Sequence, residues 1–216
     1  MVDSIKNVPV YKTFEDVINL LINSYYVHGY FEYGPYYSVY SYNGLDGHKF
    51  RVGGRTSNKF STKTMLYGHL AYGTLNNEFK YALGYQHIYN KNPRRSSGVQ
   101  YEYETQQLAQ SELSNVENNA ITSFLRRNPN NKLNPVREFK AYYEHEWYQG
   151  FSNTVTVKHK IIYPSDSIAF NKNNIPSLSN ITASEISLYT RFAKDEKFLM
   201  GEFERVSLGT KSPILN

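Results

Sequence analysis

The sequence predicts an all-β chain, an antiparallel transmembrane β-barrel fragment of about nine meandering strands in an open sheet, with a short N-terminal helix and a partly helical loop insertion. Three observations predict it. Among 216 residues, 21 Tyr and 12 Phe stand beside a hydrophobic fraction of only 40%, as expected where alternate residues meet lipid and Tyr sits at the water interface. Several segments of about nine to eleven residues alternate polar and apolar positions, the length a tilted membrane strand needs. Nowhere do roughly 18 to 20 apolar residues follow one another, and the densest run, 17–22, is broken by Asn19, so spanning as helices is excluded.

Each element has a local reason. Thr13 reads as an N-cap with Asp16 three residues on, and Val17, Ile18, Leu21, Ile22 and Tyr25 follow at helical spacing. This pattern predicts a helix over 14–26 within an N-terminal linker of residues 1–29. From Tyr30 the period becomes two, and residues 30–216 read as the partial barrel. Its candidate strands are 33–42, 49–56, 63–72, 79–88, 98–104, 139–148, 153–163, 185–192 and 197–207. Asn43-Gly44-Leu45-Asp46-Gly47, Leu75-Asn76-Asn77 and Gly150-Phe151-Ser152 read as hairpin turns. Two longer connections remain, a loop insertion over 105–137 and a second over 164–182. The first is rich in Gln and Asn yet carries Leu108, Leu113, Ile121, Phe124 and Leu125 at near-helical spacing, so part of it is expected to be helical, outside the bilayer or inside the lumen. Short turns on one side and long loops on the other is the barrel pattern.

Strand parity assigns the faces, because residues i and i+2 share one side of a sheet. In 49–56, Lys49, Arg51 and Arg55 alternate with Phe50 and Val52; in 79–88, Lys80 opposes Phe79, Tyr81 and Leu83. Glu102 opposes Tyr101 and Tyr103, and Glu144 and Glu146 oppose Tyr143 and Trp147. An Arg or Lys turned to lipid near the midplane costs about 2 to 4 kcal/mol, so the charged parity must face water. The expected lipid-facing set is therefore Phe50, Val52, Phe79, Tyr81, Leu83, Tyr143 and Trp147, and the expected lumen-facing set is Lys49, Arg51, Arg55, Lys80, Glu102, Glu144 and Glu146. A soluble barrel with the parities inverted obeys the same alternation. Against it, a dry core is built mainly of Val, Ile and Leu, whereas Tyr recurs here on both parities.

Composition narrows function by exclusion. The net charge of +5 is spread out, without a run of five basic residues, and Arg94-Arg95 and Arg126-Arg127 read as isolated loop pairs, so no nucleic-acid partner is expected. With no Cys there is neither disulfide nor thiolate chemistry. The six His, 28, 48, 69, 87, 145 and 159, show no metal-binding spacing and read as surface or lumen side chains. Glu144 and Glu146, about 7 Å apart along a strand, have the spacing of a carboxylate pair, but ion pairing with Arg or Lys of neighbouring strands is the preferred role. Gly53-Gly54 reads as close packing or strand bending, and Asn180-Ile181-Thr182 is a weak glycosylation match. No catalytic, cofactor-binding or metal residues are expected, and no cofactor. Met1-Val2-Asp3-Ser4-Ile5-Lys6-Asn7 lacks the apolar region of a secretory signal, which leaves a non-exported protein or a missing beginning.

An ordered series of segments carries a resemblance. Phe31-Glu32-Tyr33-Gly34-Pro35-Tyr36-Tyr37-Ser38 comes first, followed by Gly47-His48-Lys49-Phe50-Arg51-Val52-Gly53-Gly54-Arg55-Thr56, Gln107-Leu108-Ala109-Gln110-Ser111-Glu112 and Phe124-Leu125-Arg126-Arg127-Asn128-Pro129. Glu146-Trp147-Tyr148-Gln149-Gly150-Phe151-Ser152-Asn153, Arg191-Phe192-Ala193 and Phe203-Glu204-Arg205-Val206-Ser207-Leu208-Gly209-Thr210-Lys211 continue it. Together they resemble the barrel region of the carboxypeptidase-like regulatory domain-containing outer-membrane proteins, a domain of unknown function similar to surface-antigen assembly-factor barrels. The resemblance implies a Gram-negative cell outer membrane, contact with outer-membrane lipid and with other outer-membrane proteins, and no peptidase activity. It also implies a leader and a small β-sandwich before this region and further strands after it, so the chain reads as a fragment. The expected function is a non-enzymatic outer-membrane barrel that assists protein assembly or export. The alternative is a soluble Tyr-rich β-barrel that binds a ligand.

Overall fold

The computed structural model describes residues 24–107, 133–165, 168, 170, 178–194, 196, 198–200, 203 and 205–207. Apart from one 3-10 turn at Tyr36–Ser38, the elements within them are strands. In order they are β1 (Tyr26–His28), β2 (Phe31–Tyr33), β3 (Tyr40–Asn43), β4 (Gly47–Thr56), β5 (Thr64–Gly73), β6 (Phe79–Lys91), β7 (Arg94–Gln106), β8 (Asn134–Tyr148), β9 (Phe151–Ile162), β10 (Ile181–Phe192), β11 (Phe198–Met200) and β12 (Arg205–Ser207). The first ten form one antiparallel sheet in the order β1-β2-β4-β5-β6-β7-β8-β9-β10, with β3 beside β4. The sheet is open, with β1 and β3 along one edge and β10 at the other.

The period-two segments become strands because β-branched and aromatic side chains fit a pleated surface. Turn chemistry ends them. β6 meets β7 across Asn92-Pro93, and β8 meets β9 across Gln149-Gly150, where Gly150 adopts φ +95°, a conformation that side-chain-bearing residues rarely take.

Several expectations are corrected. The strand expected over 33–42 is two short strands, β2 and β3, that pair with opposite halves of β4. Pro35 interrupts them, since it has no N–H for the ladder. The strand expected over 197–207 is a hairpin, with Phe198 opposite Ser207 and Met200 opposite Arg205, and it stands apart from the main sheet. One open edge therefore lies at β10 and not at 197–207. Arg94 and Arg95 open β7 and do not lie in a loop, because the β6–β7 turn is only Asn92-Pro93. The insertion over 105–137 is shorter than expected: β7 runs to Gln106 and β8 starts at Asn134. Its expected helical part lies outside the described residues, as does the N-terminal helix up to residue 23; Ser24 and Tyr25, within its expected range, are not helical, and Tyr26 begins β1.

The sheet curls, as its side-chain contacts require. Lys49 on β4 pairs with Glu104 on β7, three strands away, a separation of about 14 Å on a flat sheet. Tyr67 on β5 reaches Gln100 on β7 at 3.2 Å. The face carrying these residues is thus the inner, concave one. Two glycines let aromatic rings lie flat on it. Gly84 is opposite Tyr67 and Gly98 is opposite Tyr142, and a Cβ on either would fall 2.1 Å and 2.5 Å from the facing ring. Gly84→Val is expected to cost about 1 to 3 kcal/mol by forcing Tyr67 off the sheet. In a Tyr67→Ala background the same change should cost much less, a coupling read by urea unfolding of the four proteins of the double-mutant cycle.

Candidate functional site

The two faces of the curled sheet differ in chemistry, and together they form the candidate site. On β4, Lys49, Arg51 and Arg55 lie on the inner face while Phe50 and Val52 are exposed on the outer one. On β6, Phe79, Leu83 and Tyr85 are exposed on the outer face with Tyr81 half-buried beside them, opposite buried Lys80 and Ala82. Glu102 on β7 lies inward, as do Glu144 and Glu146 on β8, whereas Tyr143 and Trp147 point outward. The burial is inverted relative to a water-soluble sheet. Val52 is 75% exposed, Leu83 68% and Ile186 78%, while Lys80 and Lys158 are 0% and 2% exposed.

Several inner-face charges meet one another. Glu32 accepts from Arg55 Nε at 2.7 Å, and Glu138 pairs with Lys160 at 2.8 Å. Arg51 Nη2 lies 2.9 Å from His69 Nδ1, and His69 Nε2 lies 2.7 Å from Glu104 Oε1, while Lys49 holds the other carboxylate oxygen, Oε2. Arginine can only donate, so Nδ1 accepts and the proton sits on Nε2, which donates to Glu104. Glu102 accepts from Gln100 and Gln106, each at 2.7 Å. At the far end of β8, Glu144 accepts from Arg94 Nε and Ser96 Oγ, both at 3.0 Å. Glu146 accepts from the Arg94 backbone N–H and from Arg205 Nη1, both at 2.7 Å. The expected Glu144–Glu146 pair is thus an ion-pair centre. One of its partners, Arg94, is on neighbouring β7; the other, Arg205, comes from the β11–β12 hairpin.

That hairpin docks on the inner face. Arg94 Nη2 donates to the Phe203 carbonyl at 2.9 Å, and Phe203 packs with Met65, Ile88 and Tyr67 in the apolar cluster of this face. A small cleft of about 100 Å³ lies between the hairpin and the strand ends, bounded by Glu146, Gln149, Phe198 and Arg205.

The ends of the sheet also differ. The connections 57–63, 92–93 and 149–150 lie at one end, called here the turn end. The other, the loop end, carries 44–46 and 74–78 and is where β7 and β9 end and β8 and β10 begin. The expected division of short turns from long loops therefore holds only at the turn end. In an antiparallel meander the side on which a turn falls is set by strand count, not by turn length. At the loop end a buried carboxylate ties three hairpins: Asp46 accepts from Asn43 Nδ2 at 2.9 Å, Asn76 Nδ2 at 2.8 Å and Thr105 Oγ1 at 2.9 Å. Nearby, Lys80 departs from a simple inward placement, since its ammonium donates to Glu78 at 2.5 Å and sits 4.2 Å over the Tyr103 ring. Burial alone would raise the Glu78 carboxyl, but Lys80 and the Tyr103 hydroxyl together hold it below its ordinary value.

The outer face is banded. Following the register from β4 to β10, Val52, Leu70, Leu83, Val99, Ala141, Val157 and Ile186 form an aliphatic diagonal. Toward the loop end it is flanked by Tyr40, Phe50, Tyr72, Phe79, Tyr101 and Phe139, and toward the turn end by Phe31, Tyr85, Tyr143, Trp147, Tyr148 and Phe192. The histidines join these belts: His48 stacks on Tyr40, His87 on Tyr85, and His145 on Trp147 with centroids 4.2 Å apart. Among the described residues no group of His, Asp and Glu is arranged to hold a metal, and no helix is long and apolar enough to cross a membrane.

Sequence reasoning missed His69 and Glu104 as the inner hub, Arg94 and Arg205 as the clamp on Glu144 and Glu146, and the Tyr–Gly pairs. Parity places each on a face, but which residues meet depends on register. Gly53 and Gly54, expected to permit close packing, lie where a Cβ would come within 2.6 Å of His69 Cβ and 2.4 Å of the Glu32 carbonyl. Comparison with protein-family models, curated proteins and solved structures returned no match to this chain.

Proposed function

We propose that the chain forms part of an integral outer-membrane β-barrel without catalytic chemistry, which serves outer-membrane protein assembly or export. The observation that carries the membrane reading is the inversion of the two faces: Lys80 and Lys158 are covered, while an aliphatic band between two aromatic belts is exposed. Water would drive that band into a core; lipid would leave it where it is. Its dimensions fit as well. From Phe79 to Tyr89 β6 climbs roughly 33 Å, which a tilt of about 40° reduces to about 25 Å in height, that of an outward apolar band. The diagonal course of the belts across the register is what tilted strands require. Assembly or export rests on the ordered resemblance to surface-antigen-like barrels and on the polar, charge-paired inner face.

A soluble ligand-binding barrel would need its apolar residues inside. In a bilayer the exposed edges at β10 and at β1 and β3 need strand partners, since unpaired N–H and C=O groups in hydrocarbon cost several kcal/mol each.

The test is flotation. The chain, refolded with phosphatidylcholine vesicles, is expected to float with the lipid on a density gradient and to resist extraction by alkaline carbonate. A monodisperse monomer that stays in the aqueous fraction would overturn the membrane reading.

A further inference from the structure

We propose that Arg137, with Tyr103 and Tyr163, binds the phosphate of an anionic lipid headgroup at the loop-end rim of the sheet, an inference that rests on the membrane reading above. Within the strands that carry the outer face, β4 to β10, only two residues with a permanent charge take outward positions, Arg95 near the turn end and Arg137 near the loop end. Arg137 shares an outer-face row with Val52, Leu70, Tyr81 and Tyr103, but on β8 that row has already passed the aliphatic diagonal and reached the belt level of Phe139 and Tyr101. Its guanidinium stands 5.7 Å from the rings of both Tyr103 and Tyr163, which meet edge-on with centroids 6.2 Å apart.

The charge there is unbalanced. Among the described residues no carboxylate pairs with Arg137, and its buried Nε has no hydrogen-bond partner. The neighbouring cation, Lys80, is already neutralised by Glu78. The site is therefore a planar five-donor cation, held by two aromatic faces at the boundary between the apolar band and water, with no acceptor of its own. Phosphate oxygens match that fork bidentately, and in a bilayer the phosphate layer lies at this height.

The test uses the full chain in vesicles of phosphatidylcholine with a minor fraction of phosphatidylglycerol. Selectivity is read from the motionally restricted component of spin-labelled phosphatidylglycerol against spin-labelled phosphatidylcholine. Arg137→Gln is expected to lower the preference for phosphatidylglycerol about fivefold, equivalent to about 1 kcal/mol. Lys160→Gln, which removes the same charge from the inner face, is expected to leave the preference unchanged. Equal selectivity in wild type and Arg137→Gln, with both floating, would overturn the site and leave the membrane reading standing. Chains that fail to float would overturn both. Saturable binding of inorganic phosphate at millimolar concentration to the micelle-held protein, lost in Arg137→Gln, would assign the site to free phosphate and overturn the lipid proposal.

Discussion

Glu146→Ala is expected to destabilise the chain by about 3 kcal/mol and to release the β11–β12 hairpin before the main sheet unfolds. Glu146 is almost fully covered and takes hydrogen bonds from Arg205 and from the Arg94 backbone N–H, each at 2.7 Å. Removing it leaves that N–H without its acceptor and Arg205 with a 3.4 Å contact to Glu144 and the Phe198 ring 4.4 Å from its guanidinium. Breaking a buried pair by deleting one partner costs about 3 to 5 kcal/mol, and the residual contact with Glu144 places this case at the low end. Trypsin cutting after Arg205 measures the release: the variant should be cut many-fold faster than wild type under conditions in which β4–β9 remain protected. Unchanged cleavage would mean that Phe203, packed on Met65 and Ile88 and bonded through its carbonyl to Arg94, holds the hairpin without Glu146.

A charge placed in the outer aliphatic band gives the second large effect, and its dependence on position separates lipid from water. Leu83→Arg is expected to lower stability in vesicles by about 2 to 4 kcal/mol, and Phe79→Arg, at the belt, by about 0 to 1 kcal/mol. Leu83 is 68% exposed, so in water the same substitution would alter a surface side chain and change little. Urea titration of the vesicle-bound variants, followed by the fluorescence of Trp147, measures both. Equal small costs at the two positions would count against the membrane reading.

Much of the strand content was legible from local pattern. The β4 and β6 segments were readable because alternation between charge and aromatic or aliphatic side chains is a property of neighbouring residues. Boundaries were less so. β7 begins at Arg94 and β8 at Asn134, in stretches whose polar residues read as loop but which become strand once adjacent strands supply the ladder partners. The segment 197–207 has the local period of a strand, yet it folds as a hairpin because Arg205 finds Glu144 and Glu146 on the inner face.

The sequence by itself determined the class of the chain and the segregation of its faces, since period two sends charged and apolar side chains to opposite sides of any sheet that forms. Only the tertiary structure decided which face is covered, and which charges meet. Curling brings Lys49 and His69 to Glu104 across three and two strands, register sets Tyr67 over Gly84 and Tyr142 over Gly98, and the docked hairpin completes the clamp on Glu146. These contacts join residues far apart in the chain, where no local pattern records which partner curvature and register will supply.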